Sequence, residues 1–179
     1  IALTRAYAKV LIEEIKKVVD EGCDYIQFDE PVWTEDVNET LWAAQILNEI
    51  IDQFPNVKFN LHVCGGNAHR KRGFFGKYTD MIKSFKILKI DEIHLEHCSL
   101  HYTMLDVFNE WNFQGKISLG VIDQRIDEIE SEEDIIKAIQ PALKYFSKDQ
   151  ILLTSECGFG HVPLDIVRKK ISKLVETTK

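Results

Sequence analysis

KFNLHVCGG, residues 58–66, is a short apolar run that predicts a β-strand and ends in a histidine and a cysteine. Side chains alternate along an extended strand, so His62 and Cys64 point the same way. A third soft ligand, Cys157, lies far downstream in the string SECGF, and only the fold can bring it to the other two. Imidazole nitrogen and thiolate sulfur are donors that Zn2+ takes in tetrahedral geometry. The three residues therefore predict a zinc site.

The rest of the chain alternates between strand-like and helix-like patterns. Apolar residues near the 3.6-residue period define the helices, and Ser131 and Pro163 mark the starts of the last two. Strand–helix alternation predicts parallel strands joined by right-handed crossovers, and thus an α/β fold. The predicted strands are 25–29, 58–63, 92–96, 117–121 and 151–154, and the predicted helices are 4–19, 37–54, 78–88, 104–111, 132–146 and 163–177.

Polar residues at the strand ends favour a barrel over an open sheet. In a (β/α)8 barrel the catalytic groups converge on the rim at the C-terminal ends of the strands, whereas an open sheet concentrates ligands at one switch point. Five strands cannot close an eight-stranded barrel. We therefore expect residues 1–179 to supply about the last five βα units of one TIM-like (β/α)8 catalytic domain, with the first strands upstream. The strand-end residues are Asp29, His62, Cys64, Glu96, Asp123 and Cys157.

Composition and charge argue against other classes of protein. The 179 residues carry a net charge of −7, which disfavours a nucleic-acid or anionic membrane surface. The basic run at 69–72 is interpreted as a solvated loop, and the alternative is a phosphate site. No apolar run approaches the roughly 18 residues that span a bilayer. Four cysteines in such a chain indicate reduced thiols, and we expect a cytoplasmic location without nucleic-acid or membrane partners.

Five segments carry a family resemblance. They read YIQFDEP (25–31), LHVCGGN (61–67), LE (95–96), IES (129–131) and CGF (157–159). In this order they resemble the C-terminal catalytic domain of cobalamin-independent methionine synthases, especially their short, single-domain relatives. The resemblance runs from about Cys23 to the C-terminus. It implies a TIM-like barrel, in agreement with the pattern of strand ends.

The resemblance also implies a ligand set, with zinc bound by His62, Cys64, Glu96 and Cys157. In this family zinc binds and activates the sulfur of homocysteine, which then receives a methyl group and becomes methionine. Coordination to Zn2+ deprotonates a thiol, and the thiolate is the nucleophile. A carboxylate ligand that dissociates would leave the open position that a catalytic zinc needs.

Some of these residues have alternative interpretations. Glu96 competes with His94 and Cys98, which share its strand parity, and with the adjacent His97. His62 alone would be a core histidine, and Cys157 alone a buried apolar residue. By resemblance, Asp29 binds the amino group of an amino-acid substrate, and the alternative is a carboxylate that caps loop amides. No residue is assigned as a catalytic acid or base. The residues set aside as alternatives are His94, His97 and Cys98.

One position departs from the family pattern. Full-length methionine synthases carry a histidine that serves as an acid in a VxDxH-like segment, whereas the segment here reads VIDQR (121–125) and places Arg125 at that position. Arginine is always protonated and is a poor proton donor. Methyl transfer from a folate requires protonation of the leaving nitrogen, so Arg125 weakens the assignment of a folate donor. A methylated corrinoid protein would need no such acid.

The main hypothesis is a zinc-dependent methyltransferase that converts homocysteine to methionine. Its methyl donor is a methyl-folate, as in the 5-methyltetrahydropteroyltriglutamate–homocysteine type, or a methylated corrinoid protein. The first alternative is a zinc alkyltransferase that acts on another thiol such as coenzyme M. The second is a non-catalytic zinc-binding domain. The sequence leaves open the donor, the thiol, the oligomeric state and the contribution of upstream residues.

Overall fold

Five parallel strands form one sheet, in the order β1-β2-β3-β4-β5, in a computed structural model that describes residues 1–178. Each strand pairs in parallel with the next strand along the chain. The predicted strands are confirmed, and every predicted end lies within one residue of the observed one. The strands are β1 Tyr25–Glu30, β2 Lys58–Val63, β3 Glu92–Glu96, β4 Lys116–Ile122 and β5 Ile151–Ser155.

The helices alternate with the strands, as predicted, but several of them are shorter or differently wound than expected, and the helix predicted at 37–54 spans only Thr40–Ile51. The pattern at 78–88 forms a 3-10 turn, Tyr78–Met81, followed by a single α-helical turn, and the pattern at 104–111 forms the 3-10 segment Thr103–Asn109. Their apolar residues still pack inward, so the periodicity correctly identified the buried face but not the winding. The α-helices are α1 Ala2–Asp20, α2 Thr40–Ile51, α3 Ile82–Phe85, α4 Glu132–Ile139 and α5 Leu164–Thr177.

Helix α4 ends earlier than predicted, and proline explains the difference. Ser131 begins the helix with a capping box, since its side chain accepts from the Asp134 amide. The helix stops at Ile139, and Pro141 lies in the 3-10 segment Gln140–Lys144 that follows. Proline has no amide hydrogen to donate, and its ring clashes with the carbonyl four residues before it. The α-helix therefore cannot continue to residue 146.

The two faces of the sheet differ in polarity. On β2 the apolar side chains of Phe59, Leu61 and Val63 are fully buried and belong to the main hydrophobic core, which also includes residues of the flanking helices. The alternate side chains lie on the opposite face and are polar, and hydrogen bonds join them across the strands, for example from Asn60 Nδ2 to Gln27 Oε1 at 2.7 Å. The buried polar residues of the central strands are Asn60, His62, Glu92, His94, Glu96 and Ser118.

Within residues 1–178 the sheet is open at both edges, because β1 pairs only with β2 and β5 only with β4. A parallel sheet of five strands in sequence order, with helices between them, is the α/β arrangement of part of a TIM barrel. That the chain holds the last five units of such a barrel stays a prediction. No helix in this described part of the chain has the length and apolar character needed to cross a membrane.

A buried lysine fixes the segment after β4 to helix α5. The Nζ of Lys170, which is fully buried, donates to the Glu128 carbonyl at 2.6 Å and to both carboxylate oxygens of Glu130 at 2.9 Å. Glu130 in turn accepts from the Asp123 amide at 2.8 Å. These contacts hold the segment that carries Arg125 in a fixed position above the strand ends.

We expect Lys170→Ala to lower the free energy of unfolding by about 3–5 kcal/mol, because the substitution leaves the Glu130 carboxylate, which is only 10% exposed, without its cation. Urea unfolding followed by circular dichroism measures the change. The neighbouring Lys169 is exposed and lies 3.9 Å from Asp165 on its own helix, so Lys169→Ala should change the free energy of unfolding by less than about 0.5 kcal/mol. Equal effects of the two substitutions would contradict this explanation.

Candidate metal centre

His62, Cys64 and Cys157 meet at the C-terminal ends of β2 and β5. The possible ligand atoms of the three residues all lie within 4.8 Å of one another, and the two sulfurs are 4.0 Å apart. Neighbouring strands are about 4.8 Å apart, so β2 and β5 would be separated by about 14 Å in a flat sheet. The contact between their ends therefore requires a strongly curved sheet, as in a barrel wall.

The geometry of the cluster fits a tetrahedral metal ion. Both cysteines are free, and a sulfur separation of 4.0 Å is too long for a disulfide. Two sulfurs at 2.3 Å from a tetrahedral zinc would be about 3.8 Å apart. His62 is only 4% exposed, and neither of its ring nitrogens has a hydrogen-bond partner among the described residues. Because a buried, unpartnered imidazole is costly, a metal ion bound here would remove that cost.

The two thiols of the cluster differ in proton affinity. Contact with the Cys64 thiol lowers the pKa of Cys157 to about 4, with His62 contributing in the same direction and burial opposing it. Contact with Cys157 and burial raise the pKa of Cys64. These opposite shifts favour a pair that shares one proton, with Cys157 as the more acidic thiol. The thiolate is the form of cysteine that binds metal ions.

His94 supports two of the three residues from β3. Its ring lies against that of His62, with the centroids 4.1 Å apart and the planes tilted by 38°, and its Nε2 donates to the Ser155 carbonyl at 2.8 Å. The Ser155 hydroxyl donates in turn to the Cys157 carbonyl at 2.8 Å. Burial, together with the neighbouring His62, lowers the pKa of His94 to about 3, so its ring is neutral. His94 therefore orients the His62 ring and the turn that bears Cys157.

Glu96 lies at the end of β3, where it was predicted, but the structure does not bring it into the cluster of ligand atoms. Its carboxylate is fully buried and accepts from the Gly65 amide at 2.8 Å. One oxygen lies 2.9 Å from Arg72 Nη1, and the other pairs with Arg125 Nη2. In this structure Glu96 is the counter-ion of two arginines, and its role as a fourth metal ligand stays a prediction.

The other candidates for the place of Glu96 also lie outside the cluster. His94 contacts the His62 ring and the Ser155 carbonyl, and it contributes no ligand atom to the cluster. His97 turns its Nε2 to the carbonyl of Ala138, at 2.7 Å, on α4. Burial and the nearby Glu156 raise the pKa of Cys98, which keeps that thiol protonated. Neither His97 nor Cys98 therefore has a geometry that suits a ligand of this centre.

Arg72 is a residue that the sequence analysis missed. The interpretation of the run 69–72 as a solvated loop is wrong for this residue, since its side chain is only 9% exposed and contacts Glu96. Its Nε also donates to the Phe74 carbonyl at 2.7 Å. The only feature of the sequence that pointed to this role was a basic residue shortly after a predicted metal ligand. That spacing does not show whether the side chain points towards the site or into solvent.

Glu156 was also missed, although it precedes Cys157 in the chain. Its side chain is fully buried and accepts from the backbone amides of His97 and Ser99, both at 2.8 Å, and from Arg125 Nη1 at 3.0 Å. Burial raises the pKa of Glu156, and the hydrogen bond from Ser99 opposes that shift. The Glu156 side chain thus holds Arg125 beside the cluster. In the sequence, only its position between a predicted strand and Cys157 indicated that Glu156 could belong to the site.

Asp29 lies at the end of β1, in strand register with His62 on β2. Its side chain is exposed and accepts one hydrogen bond, from Gln27 Nε2 at 2.8 Å. The structure thus places a solvent-accessible carboxylate one strand away from the metal cluster. A contact between Asp29 and a substrate amino group stays a prediction.

Comparisons with known proteins agree with this arrangement. The sequence model of the cobalamin-independent synthase catalytic domain matches residues 2–179. The chain is 33% identical to the methionine synthase of Sulfolobus acidocaldarius over 171 residues, and 32% identical to that of Sulfurisphaera tokodaii over 172 residues. Each match covers 96% of this chain but 47% of the relative. The chain thus spans about half the length of the curated relatives it matches.

A solved structure shows the same fold. The B12-independent methionine synthase from Shewanella sp. W3-18-1, in complex with selenomethionine, superposes with a TM-score of 0.85 at 26% sequence identity. The superposition covers 98% of this chain and 53% of the Shewanella chain. The five-stranded sheet thus corresponds to part of a TIM-barrel enzyme. With the family match over almost all of its length, the chain belongs to the cobalamin-independent methionine synthase family.

Proposed function

We propose that the chain is part of a zinc-dependent methyltransferase that binds homocysteine as a zinc thiolate and methylates it to methionine. The convergence of His62, Cys64 and Cys157 on one point is the observation that carries this proposal. Membership of the family supports the reaction type. The Shewanella relative was solved with selenomethionine, the selenium analogue of methionine, which supports an amino acid of this shape as product.

His62, Cys64 and Cys157 would hold the zinc, and Glu96 is proposed as a dissociable fourth ligand. A neutral imidazole and two thiolates balance the charge of Zn2+, so the Glu96 carboxylate would add excess negative charge and could give way to a substrate thiolate. When bound, zinc supplies a Lewis acid that keeps the substrate sulfur deprotonated at neutral pH. The buried His62 and Cys64 exclude water from one side of that sulfur.

Asp29 is proposed to bind the substrate ammonium group. Its exposed carboxylate can form a charge-assisted hydrogen bond with an amine, and the bond from Gln27 fixes its orientation. The strand register with His62 puts it one strand away from the metal cluster. A substrate held at both its amine and its sulfur would have its sulfur directed at the methyl donor, which is the positioning that methyl transfer needs.

The methyl donor is proposed to be a methylated corrinoid protein rather than a methyl-folate. Arg125 stands where full-length family members have an acid, and its guanidinium is already paired with Glu96 and Glu156. It therefore supplies no proton to a leaving nitrogen. A corrinoid leaves without protonation. Assays with homocysteine and with coenzyme M, each against both donors, separate these reactions and the alternative thiol.

We propose that residues 1–179 are the C-terminal part of a (β/α)8 domain, because β1 and β5 each lack a second neighbour among the described residues. Strands upstream would close the barrel and complete the substrate site. The free cysteines support a cytoplasmic location.

Cys157→Ala should weaken zinc binding so far that the one zinc ion per chain is lost on dialysis, because the substitution removes one of the two thiolate ligands. Metal analysis after dialysis measures the zinc content. Cys23, which contacts only the Tyr25 carbonyl in the described part of the chain, provides the control, and Cys23→Ala should retain full zinc. With zinc bound, adding homocysteine should add one sulfur neighbour in the zinc X-ray absorption spectrum. Full zinc content in Cys157→Ala would refute the proposed centre.

Asp29→Asn should raise the KM for homocysteine about tenfold or more, because the substitution removes a charge-assisted hydrogen bond to the ammonium group. The matched control is a substrate, 4-mercaptobutanoate, which is homocysteine without its amino group. Its kcat/KM should be the same for the variant and the unsubstituted protein. If Asp29→Asn impaired both thiols equally, Asp29 would act in the structure of the site and not in recognition of the amine.

A further inference from the structure

We infer that Asn60 and Gln27 are positioning residues that direct the Asp29 carboxylate at the substrate amine. Their two side-chain amides, called the amide relay below, connect a buried position on β2 with the exposed carboxylate on β1. The inference rests on the proposed role of Asp29 in binding the ammonium group and adds two residues to it. Both residues act through Asp29, and Asn60 does so across two hydrogen bonds.

The strand register brings the amide relay to Asp29. Gln27 and Asp29 are two residues apart on β1, so their side chains lie on the same face of the sheet. Gln27 is the register partner of Asn60 on β2, and Asp29 is the register partner of His62. Asn60 Nδ2 donates to Gln27 Oε1 at 2.7 Å, and Gln27 Nε2 donates to Asp29 Oδ1 at 2.8 Å. The relay thus ends at a carboxylate one strand away from a proposed metal ligand.

The hydrogen bonds of the relay run in one direction only. An ionised carboxylate only accepts hydrogen bonds, so Gln27 must turn its NH2 group towards Asp29. The Gln27 oxygen then points to β2 and needs a donor, which Asn60 provides. A residue without a donor at position 60 would leave the Gln27 amide free to turn and to present its oxygen to the carboxylate. Asn60 therefore determines which end of the Gln27 amide faces Asp29.

Stability alone does not explain an asparagine at position 60. The side chain is only 2% exposed, and its Oδ1 has no hydrogen-bond partner among the described residues. A buried polar atom without a partner is destabilising, and the interior of a TIM barrel is usually filled by branched apolar residues. The hydrogen bond that Asn60 donates to Gln27 is therefore what an apolar residue of the same size could not supply here.

The test measures the binding of two thiols to the zinc-loaded full chain, without a methyl donor, by titration calorimetry. The thiols are homocysteine and 4-mercaptobutanoate, which lacks only the amino group. Asn60→Leu is nearly isosteric and removes the donor, so we expect it to raise the Kd of homocysteine about fivefold, the effect of one weakened hydrogen bond. The Kd of 4-mercaptobutanoate should change by less than about twofold, because that thiol has no amine for Asp29 to bind.

Further variants show whether the effect passes through Gln27 and Asp29. Gln27→Met should raise the Kd of homocysteine by a similar factor, and the double variant with Asn60→Leu should bind no more weakly than either single variant. In an Asp29→Asn background, Asn60→Leu should have no further effect, because the carboxylate through which it acts is absent. Asn112→Leu, at an exposed position before β4, is the matched control and should leave both affinities unchanged.

Urea unfolding separates a positioning role from a structural one. Asn60→Leu removes a buried oxygen that has no partner, so its free energy of unfolding should be at least that of the unsubstituted protein, with the same zinc content. Unchanged stability together with weaker binding of the amine alone is a combination that a merely structural residue does not give. If Asn60→Leu does not fold, Gln27→Met tests the relay from its exposed end.

The outcomes separate this inference from the proposed function. Equal weakening of both thiols by Asn60→Leu and Gln27→Met, or unchanged binding of homocysteine, would overturn the relay and leave the zinc centre and the role of Asp29 in place. Equal weakening of both thiols by Asp29→Asn would overturn the proposed role of Asp29 and the relay with it. A chain that binds neither zinc nor thiol before any substitution would overturn both the relay and the proposed function.

Discussion

The approach of Cys157 to His62 and Cys64 is the contact on which the rest of the structure depends. The residues come from β2 and β5, which have two strands between them, and their sulfurs are nevertheless 4.0 Å apart. Only a curved sheet permits this distance. The curvature comes from the parallel strands and the helices packed on their apolar face, so the hydrophobic core and the metal cluster are two consequences of the same fold.

The polar face of the sheet carries many buried polar groups. Most of them are hydrogen-bonded or paired with a residue of opposite charge nearby. The imidazole of His94 is neutral and bonded to a carbonyl, while Glu96 and Glu156 are matched by Arg72 and Arg125. His62 differs from these groups, since both of its ring nitrogens lack a partner among the described residues. A metal ion bound at His62 would satisfy one of these two buried nitrogens.

Much of this arrangement could be predicted from the sequence. The five strands follow from short apolar runs, and the positions of His62, Cys64 and Cys157 follow from the alternation of side chains and from the ends of the strands. The pattern failed where local winding depends on tertiary contacts, as in the segment Thr103–Asn109, which is a 3-10 segment and not an α-helix. Hydrophobic periodicity identifies a buried face but does not distinguish these two windings.

The charged surroundings of the site could not be predicted in the same way. Arg72 lies on a loop, Arg125 follows a strand, and Glu96 was assigned to the metal by resemblance alone. Which of several nearby partners a carboxylate selects depends on distances of a few tenths of an ångström, and no spacing in the sequence encodes them. The same holds for Lys170, whose burial opposite Glu130 cannot be read from a helix rich in lysine.

Anomalous diffraction at the zinc edge, from crystals of the protein grown with zinc, tests the central claim most directly. We expect one peak at about 2.0–2.3 Å from a ring nitrogen of His62 and from the sulfurs of Cys64 and Cys157. A zinc peak elsewhere, or a folded protein in which these three side chains surround no metal, would contradict the assignment of this cluster as the metal centre.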